Sequence, residues 1–208
     1  MARRRQTKQL ILNEIAGEML NKALEDIDLG TVLKRIGIPT TTFYYHFHSL
    51  ANVAETMMQM FVEQIEKNTE EHPYYANCKD MKDMWEKKKT QDINLFSAFY
   101  ENRKIFSALM NGEYRDRFSE TLFKAFLKRE ERLEPSYIDN DGVISDPEEK
   151  EKQYILRASA DLDLCLIRIW NDRRFQETPE EFYRIVYNIY GKDKRLIYKA
   201  YFYEPTKM

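Results

Sequence analysis

The stretch 27–47, IDLGTVLKRIGIPTTTFYYHF, leaves the chain few ways to fold. Leu29, Val32, Leu33 and Ile36 recur at i, i+3, i+4 and i+7, one face of a short helix that Asp28 can cap. Gly37 ends it, because glycine enters the left-handed backbone region without penalty. Pro39 cannot continue that helix but suits the start of another. In the second helix, 40–47, Phe43 and Phe47 lie inward at i, i+4, and Thr41 and Tyr45 point away from them. Tyr44 and His48 sit on the flank. Two short helices with a tight turn, the second small and polar at its N-terminus, have the form of a helix-turn-helix that reads the major groove.

Around this core the pattern is helical throughout. Six glycines and six prolines in 208 residues leave long periodic segments between them. The expectation is an all-α chain: a three-helix DNA-binding head with the helix-turn-helix, and a helical ligand-binding and dimerisation body of about five to six helices. A first helix is expected over 7–24, with Ile11, Ile15 and Met19 on one stripe. The division falls at 1–48 for the head and 49–208 for the body, with a linking helix over 49–68 that Ser49 can cap. His72-Pro73-Tyr74-Tyr75 breaks the pattern behind that helix. Further helices are expected over 79–100, 102–111, 116–133, 147–174 and 179–190. Gly112 stops the second of these, and Thr178-Pro179-Glu180-Glu181 opens the last. The segment 134–146, EPSYIDNDGVISD, reads as a mobile surface loop, and 192–203 as a small appended helix.

Charge is unevenly placed. Residues 1–50 carry seven basic against five acidic side chains, 7 − 5 = +2, within a total of −2, so the rest carries −4. A basic head on an acidic body suits contact with phosphates at one end only. Cys78 and Cys165 have no metal-ligand spacing and read as buried thiols of a reducing compartment. No signal peptide and no apolar run of membrane-spanning length is visible, so the expected location is the cytoplasm, with no membrane partner. No phosphate-cradling glycine loop, HExxH or GxSxG is present. His46 and His48 lie about 160° apart on a helix and share no metal. No enzyme activity, catalytic residue, metal or cofactor is therefore expected.

Gly37-Ile38, the block Phe43-Tyr44-Tyr45-His46-Phe47, and Ser49 match in order and spacing the DNA-binding head of the TetR-type bacterial transcriptional regulators, which the stretch resembles. Three positions depart: Ile36 for the usual alanine, Pro39 for the usual serine or threonine, and Leu50 for the usual phosphate-binding lysine. The segment FYENRKIFSALMNG at 99–112 resembles one branch of the C-terminal domains of that family, as does WNDRRFQETPEEFYRIVYNIY at 170–190. The resemblance implies that Thr40, Thr41 and Tyr44 meet base edges, and that Thr42, Tyr45 and His46 touch the backbone. With Leu50 uncharged, Arg3, Arg4, Arg5, Lys34 and Arg35 remain as cationic contributors. The arginines at 3–5 read either as an arm that meets the DNA or as a solvated tail.

In the body, Ile155, Ser159, Leu162, Leu166 and Ile169 form one face of a long helix, and Leu156, Ala160, Leu164, Ile167 and Trp170 a second. A helix apolar on two sides must be buried on two sides, so Leu162, Leu166 and Ile169, with Val186 of the following helix, are candidates for a homodimer interface. Trp85, Phe96, Phe99, Tyr100, Phe106, Phe123 and Trp170, with Arg103 and Asp163 as polar groups, are candidates for a small-molecule pocket. The expected function is a dimeric transcriptional regulator, a repressor released from a palindromic double-stranded DNA operator by a small-molecule inducer. The alternative is a helical interaction protein whose degenerate head no longer binds DNA.

Overall fold

Asp28 shows how local chemistry sets the head. In the computed structural model of the protein its carboxylate accepts the backbone N–H groups of Gly30 and Thr31 at 3.0 and 3.3 Å, and the Thr31 hydroxyl at 2.6 Å. The structure describes residues 2–70, 81–133, 135–138, 144–191 and 196–198. With its donors so satisfied, helix α2 runs Leu29–Arg35. Gly37 then turns the chain at a φ of 67°, where a side chain would be strained, and α3 follows at Thr40–His46 from Pro39. Phe43 and Phe47 are fully buried, 5.6 Å apart.

The first helix corrects the expectation at both ends. α1 spans Ala2–Met19 instead of 7–24, so Arg3, Arg4 and Arg5 stand on a helix and not in a loose tail. Arg4 and Lys8 fall on the same stripe as Ile11 and Ile15, and arginine, glutamine and lysine are good helix formers, so the apolar face carries the helix back through the basic residues. It stops early because Asn21 Nδ2 bonds back to the Gly17 carbonyl at 3.2 Å and Leu24–Asp26 tighten into a 3-10 turn. There the Leu24 N–H donates to Glu113 Oε1 at 2.9 Å.

The remaining helices are α4 Leu50–Glu70, α5 Met81–Glu101, α6 Arg103–Asn111, α7 Arg115–Leu133, α8 Glu149–Asp172 and α9 Pro179–Gly191. The Ser49 hydroxyl accepts from Asn52 N at 3.1 Å and so caps α4. Thr178 and Glu181 make a reciprocal capping box at the head of α9: Thr178 N–H donates to Glu181 Oε2 at 2.9 Å, and Glu181 N–H to Thr178 Oγ1 at 3.3 Å. The break expected at 72–75 lies outside the described residues.

Two expectations fail outside the helices. Pro135–Ile138 and Ile144–Ser145 are strands β1 and β2, not a loop, and Leu196–Tyr198 is strand β3, not part of a helix. They form a small antiparallel sheet in the order β2-β1-β3, with Tyr137 opposite Ser145 on one side and Leu196 on the other. An Asp-Gly pair between Tyr137-Ile138 and Val143-Ile144 is a hairpin signal, and Leu196-Ile197-Tyr198 is a β-prone run too short to hold a helix alone. The all-α architecture carries this sheet as an appendage.

The chain falls into two compact units: Met1–Phe61 with Asn102–Thr121, and Val62–Glu101 with Leu122–Met208. The first thus holds the 1–48 head together with the start of α4, α6 and the start of α7. In it Phe61, Phe106 and Phe118 pack with centroids 5.3 to 5.5 Å apart, Phe106 edge to face with both of the others. Trp170 centres the second unit: Phe182 stacks on it at 4.1 Å, Phe175 lies at 4.8 Å and Tyr100 at 5.9 Å, and its indole N–H donates to the Glu177 carbonyl at 3.1 Å. Reaching that place costs backbone strain, since Arg174 and Phe175 both take positive φ (58° and 51°). Trp170→Ala should therefore lower unfolding free energy by about 3–5 kcal/mol in chemical denaturation, as for other buried aromatics. A loss under about 1 kcal/mol would mean that the rings repack without it.

Candidate nucleic-acid interface

Burying Phe43 and Phe47 decides what α3 presents to solvent. Thr40 and Thr41 are exposed, Thr42 is half-buried, and Tyr44 and Tyr45 stand 56 % and 64 % exposed. These are the largest exposed aromatics of the first unit among the described residues. Lys34, near the end of α2, is exposed as well.

α1 supplies cations beside α3. The Arg4 guanidinium lies 4.8 Å over the Tyr45 ring, and the Lys8 ammonium 5.9 Å over the Phe47 ring. Between these rings His46 meets Tyr45 edge to face at 5.2 Å. Burial first, then Arg4 and Lys8, hold the His46 imidazole below its ordinary 6.5, so it is neutral at neutral pH. Arg5 is exposed on the same helix, while the Arg3 side chain lies outside the described residues.

Arg35 is placed differently from the other cations. Its guanidinium sits 2.7 Å from Glu18 and 3.2 Å from Glu14, both on α1, so its charge is shared within the head. Lys22 joins Glu18 at 2.6 Å. Leu50 is half-buried at the start of α4, where the family resembled has its lysine. The surface therefore brings together Thr40, Thr41, Tyr44, Tyr45, His46, Arg4 and Lys8. Lys8 had no signal in sequence beyond its i, i+4 spacing from Arg4.

In the second unit Phe96, Tyr100 and Phe182 come together around Trp170, with Phe96 to Phe182 at 4.9 Å. Phe99 is buried and Phe123 half-buried there, and the Trp85 side chain lies outside the described residues. Asp163 accepts from Arg129 at 3.1 Å in a network that also ties Arg129 to Asp92 and Glu130, and Lys88 to Asp92. Beside it burial pushes the Tyr183 hydroxyl up to about 12, with Lys88 lowering and Asp92 raising it. Arg103 and Phe106 belong to the first unit, Arg103 exposed and Phe106 buried.

Leu166 is only 7 % exposed and packs inside its own unit, while Ile169 is 49 % exposed. Leu162 and Val186 are half-buried. Ile185, Tyr187 and Ile189 of α9 are exposed apolar positions. Cys165 is exposed, contrary to the expectation of a buried thiol, because it shares the surplus face of α8 with Ile169; Cys78 lies outside the described residues.

A solved structure named Dihydroxyacetone kinase operon activator DhaS is similar to this chain, with a TM-score of 0.61 over 90 % of this chain and 96 % of that one, at 16 % identity. At that identity the likeness is one of fold, and it supports the all-helical architecture. No protein-family model matches the sequence, and no curated protein matches it. No described helix is long and apolar enough to cross a membrane.

The Glu18 cluster gives a pH test of how the head is held. Hydrogen bonds from Lys22 and Arg35 put the Glu18 carboxyl below its ordinary 4.5. A depressed folded value means stability that is present above about 4.5 and lost as pH falls through the folded value. Glu18→Gln should flatten the acid limb of the head's unfolding curve, read by circular dichroism, while leaving the curve above pH 5 parallel to the original. An unchanged acid limb would show that the cluster is solvent-screened.

Proposed function

We propose that this protein is a DNA-binding transcriptional regulator of the TetR type, with α3 as the recognition helix. The observation that carries it is the exposed face of α3, Thr40, Thr41, Tyr44 and Tyr45, set opposite the buried Phe43 and Phe47 and flanked by Arg4 and Lys8. Threonine methyls and a tyrosine ring suit thymine methyl groups, and hydroxyls serve either neighbouring base. Without an arginine aimed at guanine, preference falls on T-containing steps. Arg4, Arg5, Lys8 and Lys34 supply the phosphate contacts, and the Arg35 pairing with Glu14 and Glu18 leaves it the lesser part. Such a protein works on the chromosome in the cytoplasm.

The protein acts as a homodimer on a near-palindrome whose half-sites lie roughly 34–36 Å apart. Support comes from the apolar side chains left in solvent on α8 and α9: Ile169, Ile185, Tyr187 and Ile189. Because Leu166 is already buried in its own unit, the interface is better probed at Ile169 and Ile189. Release by a small molecule is assigned to the second unit, whose aromatic cluster of Phe96, Tyr100 and Trp170 has the apolar chemistry such a site uses. A bound head represses when its site overlaps the promoter and activates when the site lies upstream. Repression is the direction proposed here, although the structurally similar protein is named an activator.

Mobility shift on the chain's own upstream DNA tests the reading. Tyr44→Ala should cost about 1–3 kcal/mol of specific binding and relax preference at one step per half-site. Equal losses on specific and random duplexes would remove Tyr44 from base reading. No shift on any duplex would favour the helical interaction protein with a silent head, which Leu50 and the internally paired Arg35 also suit. Ile169→Glu with Ile189→Glu should give folded monomers by ultracentrifugation, and a persisting dimer would place the interface elsewhere.

A further inference from the structure

His46 is the last residue of α3 and is half-buried, and the residues on either side of it each carry a cation of another helix over their rings. From α1, Arg4 lies over the ring of its neighbour Tyr45 and Lys8 over the ring of its neighbour Phe47. On its own element the Tyr45 ring meets the imidazole edge to face at 5.2 Å and the Phe47 ring lies at 6.2 Å, and beyond it the His48 backbone N–H donates to Asn52 Oδ1 of α4 at 3.2 Å. Among the described residues the charged groups that act on the imidazole are Arg4 and Lys8. Burial first, and then the repulsion a third positive charge would feel from Arg4 and Lys8, lower the titration of His46.

From this cluster we infer that His46 takes up a proton when a nucleic-acid phosphate docks against Arg4 and Lys8, so that DNA affinity rises as pH falls. The inference rests on the DNA-binding reading and adds to it a linkage between binding and pH. A phosphate offsets the repulsion from Arg4 and Lys8 and accepts an N–H from the imidazolium, so the bound form titrates higher than the free form. The sign follows from that order. The gain in affinity is complete below the free value and vanishes as pH rises through the bound value. Each unit of separation between the two values gives about a tenfold change in binding constant across that window. Because phosphates carry no sequence information, the effect needs no particular operator.

The experiment uses the full chain and a random-sequence duplex of roughly two helical turns at low salt. Calorimetric titration in two buffers of different ionisation enthalpy, near pH 6.5, counts the protons taken up on binding. We expect uptake of a fraction of a proton per head. It should be lost in His46→Gln, reduced in Arg4→Ala and kept in His48→Gln. Nuclear magnetic resonance of the free protein gives a second readout: His46 titrates below 6.5 and moves up in Arg4→Ala. Binding with no proton uptake, or uptake that survives His46→Gln, overturns the inference and leaves DNA binding standing. A chain that binds no duplex at any pH overturns both.

Discussion

Everything presented by the head depends on two phenyl rings. α3 has seven residues, too few to be helical alone in water, since nucleation fixes several dihedrals for a single hydrogen bond. Phe43 and Phe47, one turn apart and fully buried, supply through packing what helix propensity does not. Their burial fixes the rotation of the helix about its axis. Tyr44, Tyr45, Thr40 and Thr41 have no freedom to face elsewhere. A surface that reads base edges needs that fixed rotation, because a turn of one residue moves every side chain by 100°.

The second dependence is electrostatic. Arg4 and Lys8 of α1 lie over aromatic faces beside α3, and burial together with these two cations holds the His46 imidazole below its ordinary value. Arg35, by contrast, is absorbed by Glu14 and Glu18 and joins α2 to α1. Arginines of one small head thus play opposite parts, one held over a tyrosine ring and one inside an ion cluster. Net charge records neither.

Trp170 has in the second unit the place that the phenyl pair has in the first. Its indole stacks flat on Phe182 and touches Phe175 and Tyr100, and the strained pair Arg174-Phe175 bends the chain so that Phe175 can reach it. The capping box Thr178–Glu181 then starts α9 in the right direction. Around the same unit Arg129 binds Asp92, Glu130 and Asp163, so a carboxylate expected at a ligand pocket is engaged in holding α5, α7 and α8 together.

Sequence alone determined what depends on near neighbours. The helix pattern, the Asp28, Ser49 and Thr178 caps, the Gly37 turn and the inward set of Phe43 and Phe47 all follow from spacings of a few residues, over which side-chain and backbone geometry are nearly fixed. Tertiary structure decided what depends on distant partners. Arg4 of α1 comes to lie over the Tyr45 ring of α3, and Arg35 meets Glu18 across seventeen positions of chain. Leu196–Tyr198 is a strand because β1, some sixty residues earlier, offers it an edge; an isolated run of that length commits to neither helix nor strand. Leu166 and Ile169 show the same limit within one helix. Periodicity puts both on the surplus face, but only the packing of the second unit buries one and leaves the other in solvent, because a residue's exposure is set by what lies against it and not by the helix that carries it.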